Sequence, residues 1–120
     1  MSQKNIPQLS IIILTKNEEA NLSICLDSLK NLDAEIFVID CGSNDRTVEI
    51  AEQFGCQIFE HPFENQAQQL NWALENIPIK TPWIMRLDAD ERLMPELVTE
   101  LQEVLLDTLA EITGDRLPVL

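Results

Sequence analysis

Four short apolar runs constrain this chain more than anything else in it: LSIIIL at 9–14, EIFVID at 35–40, CQIFE at 56–60 and WIMRL at 83–87. LSIIIL is β-branched and almost continuously apolar, which suits a strand covered on both faces rather than one with a wet side. The stretches between the runs carry helical spacing instead. Asn17 is placed to cap a helix running to about Lys30, with Leu22, Cys25, Leu26 and Leu29 on one stripe. A second helix is predicted over about Asp45 to Phe54, capped by Ser43 or Asn44 and stopped by Gly55, with Val48, Ile50, Ala51 and Phe54 inward. A third begins at Asn65 or Gln66 and runs to about Asn76, with Ala67, Leu70, Ala73 and Leu74 at helical spacing. Pro95 suits the first turn of a fourth, about Glu96 to Ala110.

Strands and helices in alternation imply parallel βαβ units. The expected fold is therefore α/β, a three-layer, mainly parallel sheet with Rossmann-like βαβ units. A chain of 120 residues makes one domain, and 45% apolar residues are enough to give it a core. Ligands of such sheets bind outside the carboxyl ends of the strands. Three polar clusters fall at those ends: TKNEE after the first run, DCGSND after the second and DADE after the fourth.

Each cluster has a chemistry. Asp40 stands where a strand leaves the sheet, so its carboxylate can accept from a nucleobase imide or a ribose hydroxyl. Gly42 permits the tight turn behind it. Asp88 and Asp90 lie one residue apart, which in extended backbone puts both side chains on one side. Two such carboxylates can hold Mg²⁺ or Mn²⁺ while phosphate oxygens complete its shell, and the metal makes a diphosphate a better leaving group. Glu91 is expected to be a solvated or capping residue. His61, the one histidine, reads as a turn residue before Pro62, and Trp72 and Trp83 as packing residues. There is no GxGxxG fingerprint and no Walker A lysine loop.

Eight basic against 21 acidic residues give a net charge of -13, which disfavours nucleic acid and anionic membrane and favours a divalent cation. Met1 to Gln8 lacks a long apolar stretch and Pro7 interrupts it, so no signal peptide is expected. Ile11 to Leu14 is far too short to span a bilayer. Cys25, Cys41 and Cys56 fit neither CxxC nor a zinc spacing and read as reduced thiols in a cytoplasmic protein.

In order and spacing these motifs resemble the family 2 glycosyltransferases, inverting enzymes of GT-A fold that build lipopolysaccharide and other cell-surface polysaccharides. The residues carrying the resemblance are SIIILTKNEEANLSICLDSL at 10–29, EIFVIDCGSNDRTVEIAEQFG at 35–55 and PWIMRLDADERLMPEL at 82–97. It implies a nucleotide-diphospho-sugar donor, by default a UDP-sugar, and a glycan or lipid-linked acceptor. It places Thr15, Asn17 and Glu19 near the nucleotide and Asp40 at the base, with Ser43 and Asp45 in the same loop. Asn71 is expected near the donor, Asp88 at the ribose or metal, and Asp90 on the Mn²⁺ or Mg²⁺ bridging the diphosphate.

Two departures qualify that expectation. Relatives often carry Arg before the Asn of the third helix, whereas QQLNWAL has Leu70 before Asn71, so Gln66 or Gln69 would have to supply the contact. The family's later part holds the acceptor loops and the general base, and no residue here is nominated for that role. The chain is thus expected to be a single, incomplete donor-binding domain, peripheral at the inner membrane face in the complete enzyme. The alternative is a catalytically inactive nucleotide- and metal-binding module, or half of a split protein. An aspartyl phosphatase is disfavoured, because there the acidic pair ends the first strand. An open edge at the fourth strand is expected to favour a homodimer.

Overall fold

The structure, a computed structural model, describes residues 9–62 and 65–109. The elements run β1 (Leu9–Thr15), α1 (Leu22–Asp27), β2 (Ala34–Asp40), α2 (Thr47–Gln53), β3 (Gln57–Glu60), α3 (Gln66–Asn76), β4 (Trp83–Asp88) and α4 (Pro95–Leu109). All strand pairs are parallel and the sheet order is β3-β2-β1-β4. The expected α/β architecture is the one found, with Ala110 outside the described residues.

Side-chain alternation along the strands sorts the core into two layers. Ile11, Ile13, Val38, Met85 and Leu87 pack with Leu22, Cys25 and Leu26 of α1, Leu29 just after it, Ala51 of α2 and Val98 of α4. Ile12, Phe37, Ile39 and Ile84 face the other way, onto Ala73 of α3 and the adjoining Ile77. Ile11, Ile12 and Ile13 are all fully buried, each contributing about 1.5–3 kcal/mol relative to an exposed side chain. Ser10 is tolerated inside this run because its hydroxyl meets Thr81 Oγ1 at 2.7 Å, and Thr81 in turn donates to the carbonyl of Trp83. That pair ties the start of β1 to the start of β4.

The helix ends depart from expectation. Asn17 caps nothing: it sits at φ 53°, and α1 starts only at Leu22, with Asn21 at the N-cap position making no side-chain cap bond. Neither Ser43 nor Asn44 caps α2, where Arg46 holds the cap position. α3 begins as expected, Asn65 accepting from the backbone N–H of Gln68. Gly55, at φ 79°, ends α2 in the left-handed region that glycine tolerates. Phe54 and Leu74 are 43% and 41% exposed and Ala67 is exposed too, so none of the three faces inward. In α3 the buried stripe is Gln69, Ala73 and the adjoining Ile77, a glutamine having taken a core position.

β4 lies at one margin of the sheet, paired to β1 alone among the described residues. There the indole N–H of Trp83 is buried without an acceptor among the described residues. No helix among them is long and apolar enough to cross a membrane.

Candidate functional site

The strand register brings the sites together. Thr15 stands level with Asp40, and Leu14 level with both Ile39 and Asp88, so the loops after β1, β2 and β4 leave the sheet side by side. The chain turns from β1 toward β2 on one side and arrives at β4 on the other, which opens a crevice at the strand ends.

The loops after β1 and β2 are sewn to each other. Asn17 donates its backbone N–H to Ser43 Oγ at 2.8 Å, and its side-chain oxygen accepts from the N–H of Asn44 at 2.7 Å. Next along, the N–H of Glu18 reaches Thr47 Oγ1 at 2.8 Å and that of Glu19 reaches Asp45 Oδ2 at 3.2 Å. Glu19 Oε1 accepts from the N–H of Arg46 at 3.3 Å. Asp45 Oδ1 also takes the N–H and the hydroxyl of Thr47, and the Thr47 hydroxyl bond is the main reason its carboxyl lies below the usual range. Asp45 therefore does the capping work that its neighbours were expected to do. Asn17, Glu19, Ser43 and Asp45 thus each contribute at least one hydrogen bond that ties these two loops together.

Asp40 is the hub. Its Oδ1 accepts from Thr15 Oγ1 at 2.8 Å and Ser43 Oγ at 2.6 Å, and its Oδ2 from the N–H groups of Gly42 and Ser43 at 3.1 and 2.8 Å. Burial pushes its pKa up, but these bonds from Ser43, Thr15 and Gly42 outweigh that and hold it below the ordinary carboxylate value. Only 2% exposed, the carboxylate turns its acceptors inward, not toward a base or ribose as the sequence suggested.

Gln69 is a second hub. Fully buried, it donates from Nε2 to Cys41 Sγ (3.2 Å) and the His61 carbonyl (3.3 Å), while its Oε1 meets His61 Nδ1 at 2.7 Å. His61 stacks on Trp72, ring centroids 4.3 Å apart, and its backbone N–H donates to the Asp40 carbonyl at 3.0 Å. Gln69 thus has no group left for a donor sugar, correcting its expected role as a substitute for arginine. The side chain of Gln66 lies outside the described residues. Asn71 is exposed on α3, apart from the cleft lining.

The crevice itself is a cleft of about 650 Å³ lined by Leu14, Thr15, Lys16, Glu18, Cys41, Pro62, Asp88, Ala89 and Asp90. This falls in the range of about 300–1,000 Å³ typical of small-molecule sites. Asp88 and Asp90 share its wall by a route other than strand alternation. Glu91 N–H donates to the Asp88 carbonyl at 2.9 Å, so Ala89 and Asp90 form the centre of a turn, not extended backbone. Glu91 Oε1 accepts from the N–H of Asp88 at 2.8 Å and braces that turn. Farther along, the N–H of Leu93 donates to Ser28 Oγ at 3.0 Å, fastening the segment to the end of α1.

Asp90 is exposed, and Asp88 takes one 3.4 Å bond from Arg86 Nη1. No group of three or more His, Cys, Asp or Glu able to hold a metal occurs among the described residues. Two hard carboxylates on one cleft wall fit a Mg²⁺ or Mn²⁺ that keeps water and takes phosphate oxygens, rather than an all-protein cage. The residues that sequence reasoning missed here are Lys16, Cys41 and Thr47, whose roles depend on contacts made across the fold.

The sequence matches the description "Glycosyl transferase family 2" over residues 10–119. It is 38% identical over 104 residues to an uncharacterized glycosyltransferase of Rickettsia bellii, covering 87% of this chain and 35% of that protein. It is 36% identical over 113 residues to the lipopolysaccharide core biosynthesis glycosyltransferase LpsC of Rhizobium meliloti, covering 90% of this chain and 40% of that one. Among solved structures it resembles glucosyl-3-phosphoglycerate synthase from Mycobacterium tuberculosis in complex with Mn²⁺, uridine diphosphate and glucosyl-3-phosphoglycerate. That likeness has a TM-score of 0.58 at 21% identity, over 72% of this chain and 36% of the other. The fold is that of the GT-A transferases. The chain spans about a third of the length of the curated relatives it matches.

Proposed function

This chain belongs to glycosyl transferase family 2, and on that premise we propose that it forms the donor-binding domain of a transferase using a nucleotide-diphospho-sugar. The sugar passes with inversion to a glycan or lipid-linked acceptor in cell-surface polysaccharide or lipopolysaccharide synthesis. The relative named for lipopolysaccharide core synthesis supports the acceptor class, and the synthase holding uridine diphosphate and Mn²⁺ supports the donor and metal.

One observation carries the reading: Asp88 and Asp90 share a cleft at the carboxyl ends of parallel strands with Thr15, Lys16 and Cys41. Asp90 and Asp88 would hold Mg²⁺ or Mn²⁺, which when bound neutralises charge on a diphosphate leaving group. The nucleoside lies toward the loops after β1 and β2. Asp40, Ser43, Asp45, Asn17 and Glu19 serve the donor by holding those loops in one shape, so that little ordering remains for binding to accomplish. Thr15 lines the floor, and Asn71 stands on the flanking helix.

Calorimetric titration with UDP, GDP and dTDP, each with and without Mn²⁺, tests this, with Asp90→Ala as control. The expected result is metal-dependent binding that the substitution abolishes. A folded chain that binds none of the three would overturn the reading.

A further inference from the structure

Lys16 is the cation in the cleft lining, which otherwise carries the carboxylates Glu18, Asp88 and Asp90. Its Nζ donates to the Gly42 carbonyl at 2.9 Å and the Cys41 carbonyl at 3.4 Å. Both partners are neutral, and no carboxylate lies within ion-pair distance of Lys16 among the described residues. An ammonium group has three donors, so one remains beside the cleft with its charge uncompensated. Gly42 is part of this arrangement. At φ 93° it turns its carbonyl to the lysine, and a Cβ there would stand 3.5 Å from Nζ.

The position matters as much as the charge. Nζ is fastened to residues that follow β2, while Asp88 ends β4 and Asp90 follows it, with β1 between the two sides. Two strand spacings separate those sides by about 10 Å. A nucleoside diphosphate spans such a gap with its phosphates at the acidic side and its base at the other. Asp40, the residue expected to read the base, is turned inward, which leaves Lys16 with Cys41 and Pro62 on that wall.

Resting on the donor reading above, we propose that Lys16 determines base specificity. Its free N–H selects a base edge that carries a carbonyl oxygen, as in uracil, thymine or guanine, and disfavours the amino edge of cytosine or adenine. Uracil and cytosine match in shape and differ at that edge, as do guanine and adenine, so the comparison isolates the donor–acceptor match.

The experiment is titration of the full chain with UDP, CDP, GDP and ADP in the presence of Mn²⁺, repeated with Lys16→Met and Lys16→Arg. The wild type is expected to favour the oxo member of whichever pair it accepts by about tenfold, the worth of one charge-assisted hydrogen bond. Lys16→Met brings that ratio close to one, and Lys16→Arg retains the oxo preference. The ratio is the readout because methionine also releases the two carbonyls, and loosened loops lower both affinities together. An unchanged ratio in Lys16→Met overturns the assignment and leaves Lys16 a brace between loops. A wild type that binds no nucleoside diphosphate overturns the donor reading itself, and this assignment with it.

Discussion

Replacing Asp40 separates a residue that shapes the site from one that touches the ligand. Its two oxygens accept four hydrogen bonds, two from hydroxyls at Oδ1 and two from backbone N–H groups at Oδ2. Asparagine can reproduce this pattern. With its amide NH₂ at the Oδ1 position, the Thr15 and Ser43 hydroxyls rotate to accept, and the remaining oxygen still receives both N–H groups. Only the charge assistance is lost, so Asp40→Asn costs about 1 kcal/mol. Alanine leaves all four donors without their acceptor in a site where Thr15 is 2% exposed. Water reaches the Gly42 side, so the losses do not sum, and Asp40→Ala costs about 3 kcal/mol. Urea unfolding followed by circular dichroism reads both. With a slope of about 1.5 kcal/mol per molar, alanine lowers the midpoint by about 2 M and asparagine by less than half of that. Equal costs for the two variants would refute the argument from hydroxyl rotation. An alanine variant of wild-type stability that no longer binds nucleotide would show instead that Asp40 meets the ligand directly.

Three further outcomes are expected. Thr47→Val leaves the Glu18 N–H without its acceptor and removes a partner of Asp45, so it lowers stability by about 1–3 kcal/mol in the same urea assay. Because the Asp40 pKa is lowered on folding, its contribution is fully present above the unfolded value of 3.8 and is lost as pH falls through the lower folded value. Acid unfolding of wild type and Asp40→Asn measures this, the variant losing less stability across that window. Burial raises all three thiols, Cys25 to about 12 and Cys56 to about 11, and Cys41 alone of them lines the cleft, so at pH 8 iodoacetamide modifies Cys41 first. Mass mapping gives the order, and a nucleotide with Mn²⁺ slows the labelling of Cys41 in the cleft wall.

The strands were legible because burial on both faces leaves a continuous apolar run, and each observed strand end lies within a residue or so of the expected one. Helix starts were less so. Asn17 has the right chemistry for a cap, but its side chain and N–H are drawn to Ser43 and Asn44, a competition no local window displays. Gln69 looked like a surface residue free to meet a ligand. It is buried because His61 and Cys41 supply partners from other elements, while the apolar Leu74 is left outside. The rim itself could be read from three polar clusters at three strand ends. Which members face the cleft could not, since Asp45 and Lys16 are both charged loop residues and only the tertiary contacts separate their roles.

The clasp between the first two loops also has a consequence for the order of assembly. Its side-chain bonds join residues 25 to 29 positions apart, whereas the Ser10–Thr81 bond that fixes the start of β4 spans 71. Shorter closures cost less chain entropy and form sooner. During synthesis the β1–α1–β2 unit and its clasp are complete while the acidic wall is still to be made. The cleft comes into being only when β4 docks against β1. A nucleotide that binds this cleft therefore cannot assist the earlier closures and stabilises the chain only once β4 is in place.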